Sequence, residues 1–322
     1  MDPSPEFSVI CVCRNEGSFL SECVGSVLNQ TEGSFEFILI DDHSTDDTWS
    51  LMQAAAAADA RVTAFRNPTR GKVAGFNHAV DRARGRWIHL LGGDDLLVPS
   101  CLEECRRVID AAGSRLSGIY HDYTILSKEN GDLVGAASYG PWLAEAAVEQ
   151  AWAKKCVIGG GFFVIRADHA RSILWPQPVH WNNEDQVIAA VLKGLGEVRY
   201  LARPLYVYRM PDRHYSSVPT LATHQRGVMQ YSEGLQLFQE RSPVWGQLPA
   251  AARTEAERHF RHARLLGTPG WSLADAWRSR LGWRQLAMVL VLRYAPRLFP
   301  FLVAVYRWIW NLGVGIRSPA RR

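Results

Sequence analysis

Short apolar runs alternating with helix-patterned segments constrain this chain most, because strand–helix–strand units with right-handed crossovers admit few topologies. Phe7 to Val12, Phe35 to Ile40, Val62 to Phe65 and Arg86 to Leu91 read as strands. Between them, Phe19, Leu20, Cys23, Val24, Val27 and Leu28 recur at helical spacing. Ser44-Thr45-Asp46-Asp47-Thr48 supplies cap residues for a helix over 49–60, and further helices are predicted over 74–83 and from Pro99, with Leu102, Cys105 and Ile109 inward. The expected fold is α/β, with a mostly parallel central sheet flanked by helices. The alternation fades near residue 115. Later strands are expected at 117–123, 156–165 and 198–208, some of them antiparallel, and from about 220 the chain turns helical and Trp-rich, with Gly267-Thr268-Pro269-Gly270 as a break.

Two of these strands close on acidic pairs. Phe35 to Ile40 runs into Asp41-Asp42, and Arg86 to Leu91 runs through Gly92-Gly93 into Asp94-Asp95. Carboxylates at strand ends can converge at the edge of a parallel sheet, where ligands bind in open α/β folds. Like charges placed together need hydrogen bonds or cations to compensate them. A phosphate-bearing ligand that brings a divalent metal supplies both, so the pattern implies a nucleotide. One member of Asp41-Asp42 suffices to cap the following turn, which leaves the other for binding. A tight hairpin turn is the competing reading of Gly92 to Asp95, but the Leu-Leu-Val-Pro that follows does not look like a return strand.

The formal charge of +4 is a property of the tail. Residues 281 to 322 hold seven arginines and no Asp or Glu, which leaves the rest with 29 basic against 32 acidic groups. The apolar run from Leu298 to Ile316 reaches spanning length only by including Arg307. Arg293, Arg297, Arg307 and Arg317 with Tyr294, Trp308 and Trp310 fit an interfacial surface on anionic lipid better than a span. Packing on the rest of the chain or on a sister subunit is the alternative. Nothing organises these arginines into a nucleic-acid reader. The six cysteines read as small buried hydrophobes, Cys11 with Cys13 on a strand and Cys101 with Cys105 on a helix, rather than as zinc ligands. Met1 to Ser8 has no apolar signal core, so a reducing cytoplasm, or the inner face of its membrane, is expected.

FSVICVCRNEGSFLSECVGSVLNQT and FEFILIDDHSTDDT, followed by RGKVAGFNHAVDRARGRWIHLLGGDDLLVP, resemble the opening blocks of a family 2 glycosyltransferase of the GT-A fold. The resemblance covers roughly residues 7 to 215 and is strongest through 105. It implies a Rossmann-like sheet and transfer of a sugar, with inversion, from a nucleoside-diphosphate sugar to an acceptor, usually with manganese or magnesium. It also implies a catalytic domain over 1–218, with a nucleotide-binding half at about 7–115 and an acceptor half at 116–218. A helical region over 219–322 follows.

By position within the resemblance, Asp42 binds a uracil-type base and Asp41 supports that pocket. Lys72 approaches the donor phosphates, a solvated loop cation being the alternative. Asp94 is the ribose-side carboxylate and Asp95 the metal ligand, with the two roles exchangeable. The family form is Asp-x-Asp-Asp, and Gly92 occupies its first position here. Trp181-Asn182-Asn183-Glu184-Asp185-Gln186 resembles the family's Glu-Asp block and implies Asp185 as general base, with Glu184 near acceptor hydroxyls; first-turn residues favoured by the helix dipole are the bland alternative. His214 falls where family members carry a mobile loop whose histidine can face metal or diphosphate. Gly159-Gly160-Gly161 either admits a sugar close to backbone or marks a bulge, and Trp181 either stacks on a sugar or packs in the core. The implied partners are a nucleotide-sugar donor, most simply a UDP-sugar, and a glycan or lipid-linked acceptor. A nucleotidyltransferase and a noncatalytic glycan-binding protein are the rival readings.

Overall fold

The computed structural model describes residues 4–147, 151, 160–173 and 184–210 and, with breaks, 236–267. The first half alternates as the periodicity predicts: β1 (Phe7–Cys13), α1 (Gly17–Leu28), β2 (Phe35–Asp41), α2 (Thr48–Ala58), β3 (Val62–Arg66), α3 (Lys72–Val80), β4 (Trp87–Leu91), a two-residue β5 (Leu96–Leu97) and α4 (Cys101–Ala111). The second half holds β6 (Leu116–Ser127), β7 (Leu133–Ala137), α5 (Trp142–Glu145), β8 (Phe163–Arg166), α6 (Ala167–Ser172), α7 (Glu184–Leu195), β9 (Glu197–Met210) and α8 (Ala250–Gly267).

All nine described strands join one sheet in the order β3-β2-β1-β4-β8-β6-β9-β5, with β7 paired to β6. β1 to β4 pair parallel, β8 is antiparallel to both β4 and β6, and β9 is parallel to β6. Six strands therefore point the same way and present their carboxyl ends at one edge. Every residue of β2 is buried, as expected of a strand covered on both faces. Leu20, Cys23 and Val27 turn the inner stripe of α1 onto the sheet, and Cys101, Leu102 and Cys105 do so for α4.

Two details depart from the sequence expectation, and a third, the α2 cap, falls within the segment expected to supply it. The helix expected over 74–83 starts at Lys72 and ends at Val80, so Lys72 opens a helix instead of riding in a loop. The cap of α2 comes from Asp46, whose Oδ1 accepts the Thr48 amide at 3.1 Å, while the N-cap residue Asp47 makes no side-chain cap bond. Over 160–166, a 3-10 turn at Gly160–Phe162 precedes the strand, which spans only Phe163–Arg166; residues 156–159 lie outside the described part. No described helix is long and apolar enough to cross a membrane, and the Arg/Trp tail beyond 267 lies outside the described residues.

Candidate active site

The loops that leave β1 and β2 clasp one another. Asn15 and His43 take up left-handed backbone angles, with φ of 57° and 60°, unusual for residues other than glycine and concentrated at functional sites. The Asn15 amide donates to Ser44 Oγ, its Oδ1 accepts the Thr45 amide at 2.8 Å, the Glu16 amide donates to Thr48 Oγ1, and the Gly17 amide to Asp46 Oδ2. This lattice holds Asp41 and Asp42 in place. Asp42 Oδ1 accepts two bonds, from the Gly71 amide at 2.8 Å and from Asn67 Nδ2 at 2.7 Å. Asp41 accepts the Ser44 amide through Oδ1, whereas its Oδ2 and Asn67 Oδ1 are buried acceptors without a partner among the described residues. Unpartnered acceptors of this kind suit a ligand that brings N–H and O–H donors.

Because Asp42 ties the β2 loop to the segment leading into α3, Asp42→Ala will strip a partner from the half-buried Gly71 amide and one from the buried Asn67 carboxamide, which keeps its bond to the Gly71 carbonyl. The expected loss of unfolding free energy is about 1–3 kcal/mol, measured by urea denaturation.

On the other side of β1, the loop after β4 turns Asp95 inward and Asp94 outward. Asp95 Oδ2 accepts the Tyr206 hydroxyl at 2.7 Å and Oδ1 accepts the Arg209 amide at 2.8 Å. Tyr206 Oη in turn accepts the Gly92 amide at 3.1 Å. The Arg209 guanidinium, itself buried, donates to the Asp94 carbonyl and to Glu22, and stacks over Phe19. Lys128 bridges Asp94 at 2.5 Å and Glu16 at 3.3 Å. The two acidic pairs thus flank the end of β1. The Asp42 amide donates to the Cys13 carbonyl on one side, and Gly93 packs on Cys13 and Glu16 on the other. Two strand spacings, roughly 10 Å, separate the strand ends that carry them.

Glycine at 92 leaves room for the acidic pair, since a Cβ there would lie 2.6 Å from Asp95 Oδ2 and 3.1 Å from Asp94 Oδ1. Gly161 is likewise a close-approach residue: its Cβ would lie 2.8 Å from Tyr206 Oη, and it belongs to the 3-10 turn rather than to a strand bulge.

Burial, and then the charge of Asp94, push the Asp95 carboxyl up from 3.8 to about 7. Glu16 is raised for the same two reasons, with Lys128 opposing. A carboxyl that holds its proton more tightly in the folded chain favours the fold fully below pH 4, and that contribution is lost as pH rises to about 7. In the absence of donor and divalent ions, the stability advantage of Asp95→Asn over the parent chain is therefore expected to grow between pH 4 and 7 and then level off, by an amount on the order of a few kcal/mol. Paired thermal melts across that range check it.

The remaining predicted residues stand as follows. Lys72 is exposed at the start of α3, one residue after the Gly71 amide that binds Asp42, with its ammonium 5.6 Å from the Phe76 ring. Glu184 and Asp185 open α7. Since α7 leads directly into the start of β9, which runs parallel to the other main strands, its first turn lies toward the carboxyl edge where the acidic pairs sit. His214 and Trp181 lie outside the described residues. Sequence reasoning missed Asn67, Lys128, Tyr206 and Arg209. The last three sit 34, 111 and 114 residues from their Asp94-Asp95 partners, and no local pattern joins them.

Residues 8–141 match the profile described as glycosyl transferase family 2. Those residues, fewer than half of the chain, are similar to that family. A glycosyltransferase of Nostoc sp. is 24% identical over 294 residues, covering 86% of this chain and 89% of the relative. S. aureus TarS 1-349, solved with UDP-GlcNAc, superposes with a TM-score of 0.57 at 15% identity, covering 94% of this chain and 92% of that one. The mannosyltransferase PcManGT of Pyrobaculum calidifontis, solved with GDP-Man and Mn2+, gives 0.53 at 18% identity, covering 97% and 88%. These likenesses show the GT-A type of α/β fold. The glycosyltransferase assignment rests on the family match, and the elements that match it carry both acidic pairs.

Proposed function

We propose that this glycosyltransferase moves a sugar, with inversion, from a nucleoside-diphosphate sugar, in the first instance a UDP-sugar, to a hydroxyl of a glycan or lipid-linked acceptor. The observation that carries this reading is the pair of acidic motifs flanking the end of β1 at the carboxyl edge of the sheet. In it, Asp41, Asp42 and Asn67 meet the base, whose N–H groups suit buried acceptors, and Asp94 meets the ribose. The UDP-GlcNAc and GDP-Man complexes of the two structural relatives support a nucleotide-sugar donor and leave its base open.

The residues also fit a hard divalent cation. Asp95 accepts one hydrogen bond on each oxygen, which leaves each a lone pair, and burial first, then the Asp94 charge, raises its pKa, so a cation beside it would stabilise its ionised form. Asp95 and Asp94 would hold manganese or magnesium, with His214 as a further ligand. Such an ion, when bound, supplies positive charge that stabilises the departing diphosphate. Lys72 contributes a second cation to the phosphates. Asp185 takes the proton of the acceptor hydroxyl as its oxygen bonds to the anomeric carbon; the bond from that carbon to the diphosphate oxygen breaks on the opposite face, and nucleoside diphosphate departs. Glu184 orients acceptor hydroxyls. The chain works in the cytoplasm at the inner face of the membrane, and its C-terminal region contacts that membrane or a second copy.

A panel of nucleotide-sugars with Mn2+, read by donor hydrolysis and by thermal stabilisation, tests the proposal. One donor should stabilise the chain and release its nucleoside diphosphate. Pyrophosphate released from a nucleoside triphosphate would instead assign a nucleotidyltransferase. Glycan binding without turnover of any donor would assign a binding protein.

A further inference from the structure

Behind the Asp94-Asp95 loop lies a second, wholly buried group of metal-ligating atoms. His89 sits on β4, His121 on β6 and Cys101 at the start of α4; His89 Nε2, His121 Nε2 and Cys101 Sγ all lie within 4.8 Å of one another. All three residues are inaccessible to solvent. We propose that they form a site for a d10 transition-metal ion, zinc(II) or copper(I), separate from the ion of the donor site.

Proton counting comes first. His89 Nδ1 is 2.9 Å from the Leu90 carbonyl and His121 Nδ1 is 3.0 Å from the Asp122 carbonyl. A carbonyl only accepts, so each Nδ1 carries its ring's proton and each Nε2 presents a bare lone pair. Yet the two Nε2 atoms face each other at 3.4 Å. Three contacts need an N–H and two neutral rings supply two; full burial disfavours the extra proton that an imidazolium would bring. The Cys101 thiol, 3.6 Å from His89 Nε2, can donate to one of the lone pairs only. A cation between them satisfies both. The backbone bonds at Nδ1 are moreover the kind of contact that fixes a metal-binding histidine's tautomer and ring orientation.

The spacing fits as well. Zinc–nitrogen bonds near 2.05 Å and zinc–sulfur bonds near 2.3 Å in a tetrahedron imply ligand edges of about 3.4 Å between nitrogens and about 3.6 Å from nitrogen to sulfur. His89 stands at these two distances from His121 and Cys101, and the third edge, Cys101 to His121, lies within 4.8 Å. Trigonal copper(I) gives nearly the same edges, and charge separates the two ions. With Cys101 as thiolate, copper(I) leaves the buried site neutral, whereas zinc(II) leaves one positive charge unless a second thiolate joins. The neighbouring thiol, Cys105, is fully buried one helical turn on and hydrogen-bonded to Cys101, and it would have to turn toward the site to supply it. The site would pin β4 and β6 to α4. The Tyr206 ring, whose hydroxyl holds Asp95, stacks against His89 with ring centroids 6.4 Å apart.

The test loads full-length chain during refolding with Zn2+ alone or with Cu+ alone, strips loose metal with EDTA, and measures metal per chain. The parent should retain about one equivalent of one ion and melt higher with it than without. Asp95→Asn should retain it equally, while His121→Gln and Cys101→Ser should lose at least tenfold in retention. Retention that also fails in Cys105→Ala selects zinc(II); retention that survives there selects copper(I). Because buried variants can misfold, Co2+ refolded into the parent chain gives a readout free of substitution: a thiolate-to-cobalt charge-transfer band supports the site. No ion retained by the parent chain, retention undiminished in both ligand variants, or cobalt bound without the thiolate band overturns it.

Discussion

Asp185→Asn will lower the rate of sugar transfer by about 10²- to 10⁴-fold, the usual worth of a positioned general base, while donor binding stays essentially unchanged. Asparagine keeps the shape of the side chain and its place in the first turn of α7 but cannot take a proton at catalytic pH. The donor contacts proposed above come from the ends of β2, β3 and β4 and the start of α3, all other segments, so the loss should fall on turnover and not on nucleotide affinity. The competing account makes Asp185 an ordinary acidic first-turn residue. It predicts a stability loss of about 0.3–1 kcal/mol from the helix dipole and no change in turnover. Single-turnover transfer measured beside calorimetric donor titration separates the two, and unchanged turnover rejects the base assignment. Glu184→Gln should act differently, raising KM for the acceptor more than it lowers kcat.

The βα alternation was legible because apolar periodicity is a local signal: β1 to β4 end within a residue or so of their predicted limits, and Asp41-Asp42 and Asp94-Asp95 stand at strand ends as their spacing implied. What was not legible belongs to the second half. β9 returns along β6 and its Tyr206 and Arg209 bind Asp95, so the motif read from residues 92–95 is completed by a strand that begins about a hundred residues later. Lys128 illustrates the same limit, since an isolated lysine near the end of a strand has no feature that announces an ion pair with Asp94. The described cysteines are buried and free, as their spacing implied, with Cys11 and Cys13 in β1 and Cys101 and Cys105 in α4. The histidines beside Cys101 come from strands whose neighbourhood is set by the insertion of β8 between β4 and β6.

Restoring the family's first aspartate will damage this enzyme rather than improve it. Gly92→Asp must place a Cβ where Asp95 Oδ2 now lies only 2.6 Å away, and Asp95 cannot swing aside freely because Tyr206 and the Arg209 amide hold both of its oxygens. Strain of this kind in a packed site costs about 1–3 kcal/mol, and a displacement of the acidic group by ~1 Å lowers transfer by about 10²-fold. Charge adds to the steric effect, since a further carboxylate beside Asp94, Asp95 and Glu16 would face Lys128 as their shared cation. Gly92→Ala separates the two causes: it should reproduce most of the loss in melting temperature, while only Gly92→Asp should change the Mn2+ concentration needed for half-maximal transfer. If Gly92→Asp transfers sugar faster at lower Mn2+ with its melting temperature intact, the glycine is a missing ligand and not a steric requirement. The contact between residue 92 and Asp95 favours the steric account, because it arises at the Cβ itself, before any choice of rotamer.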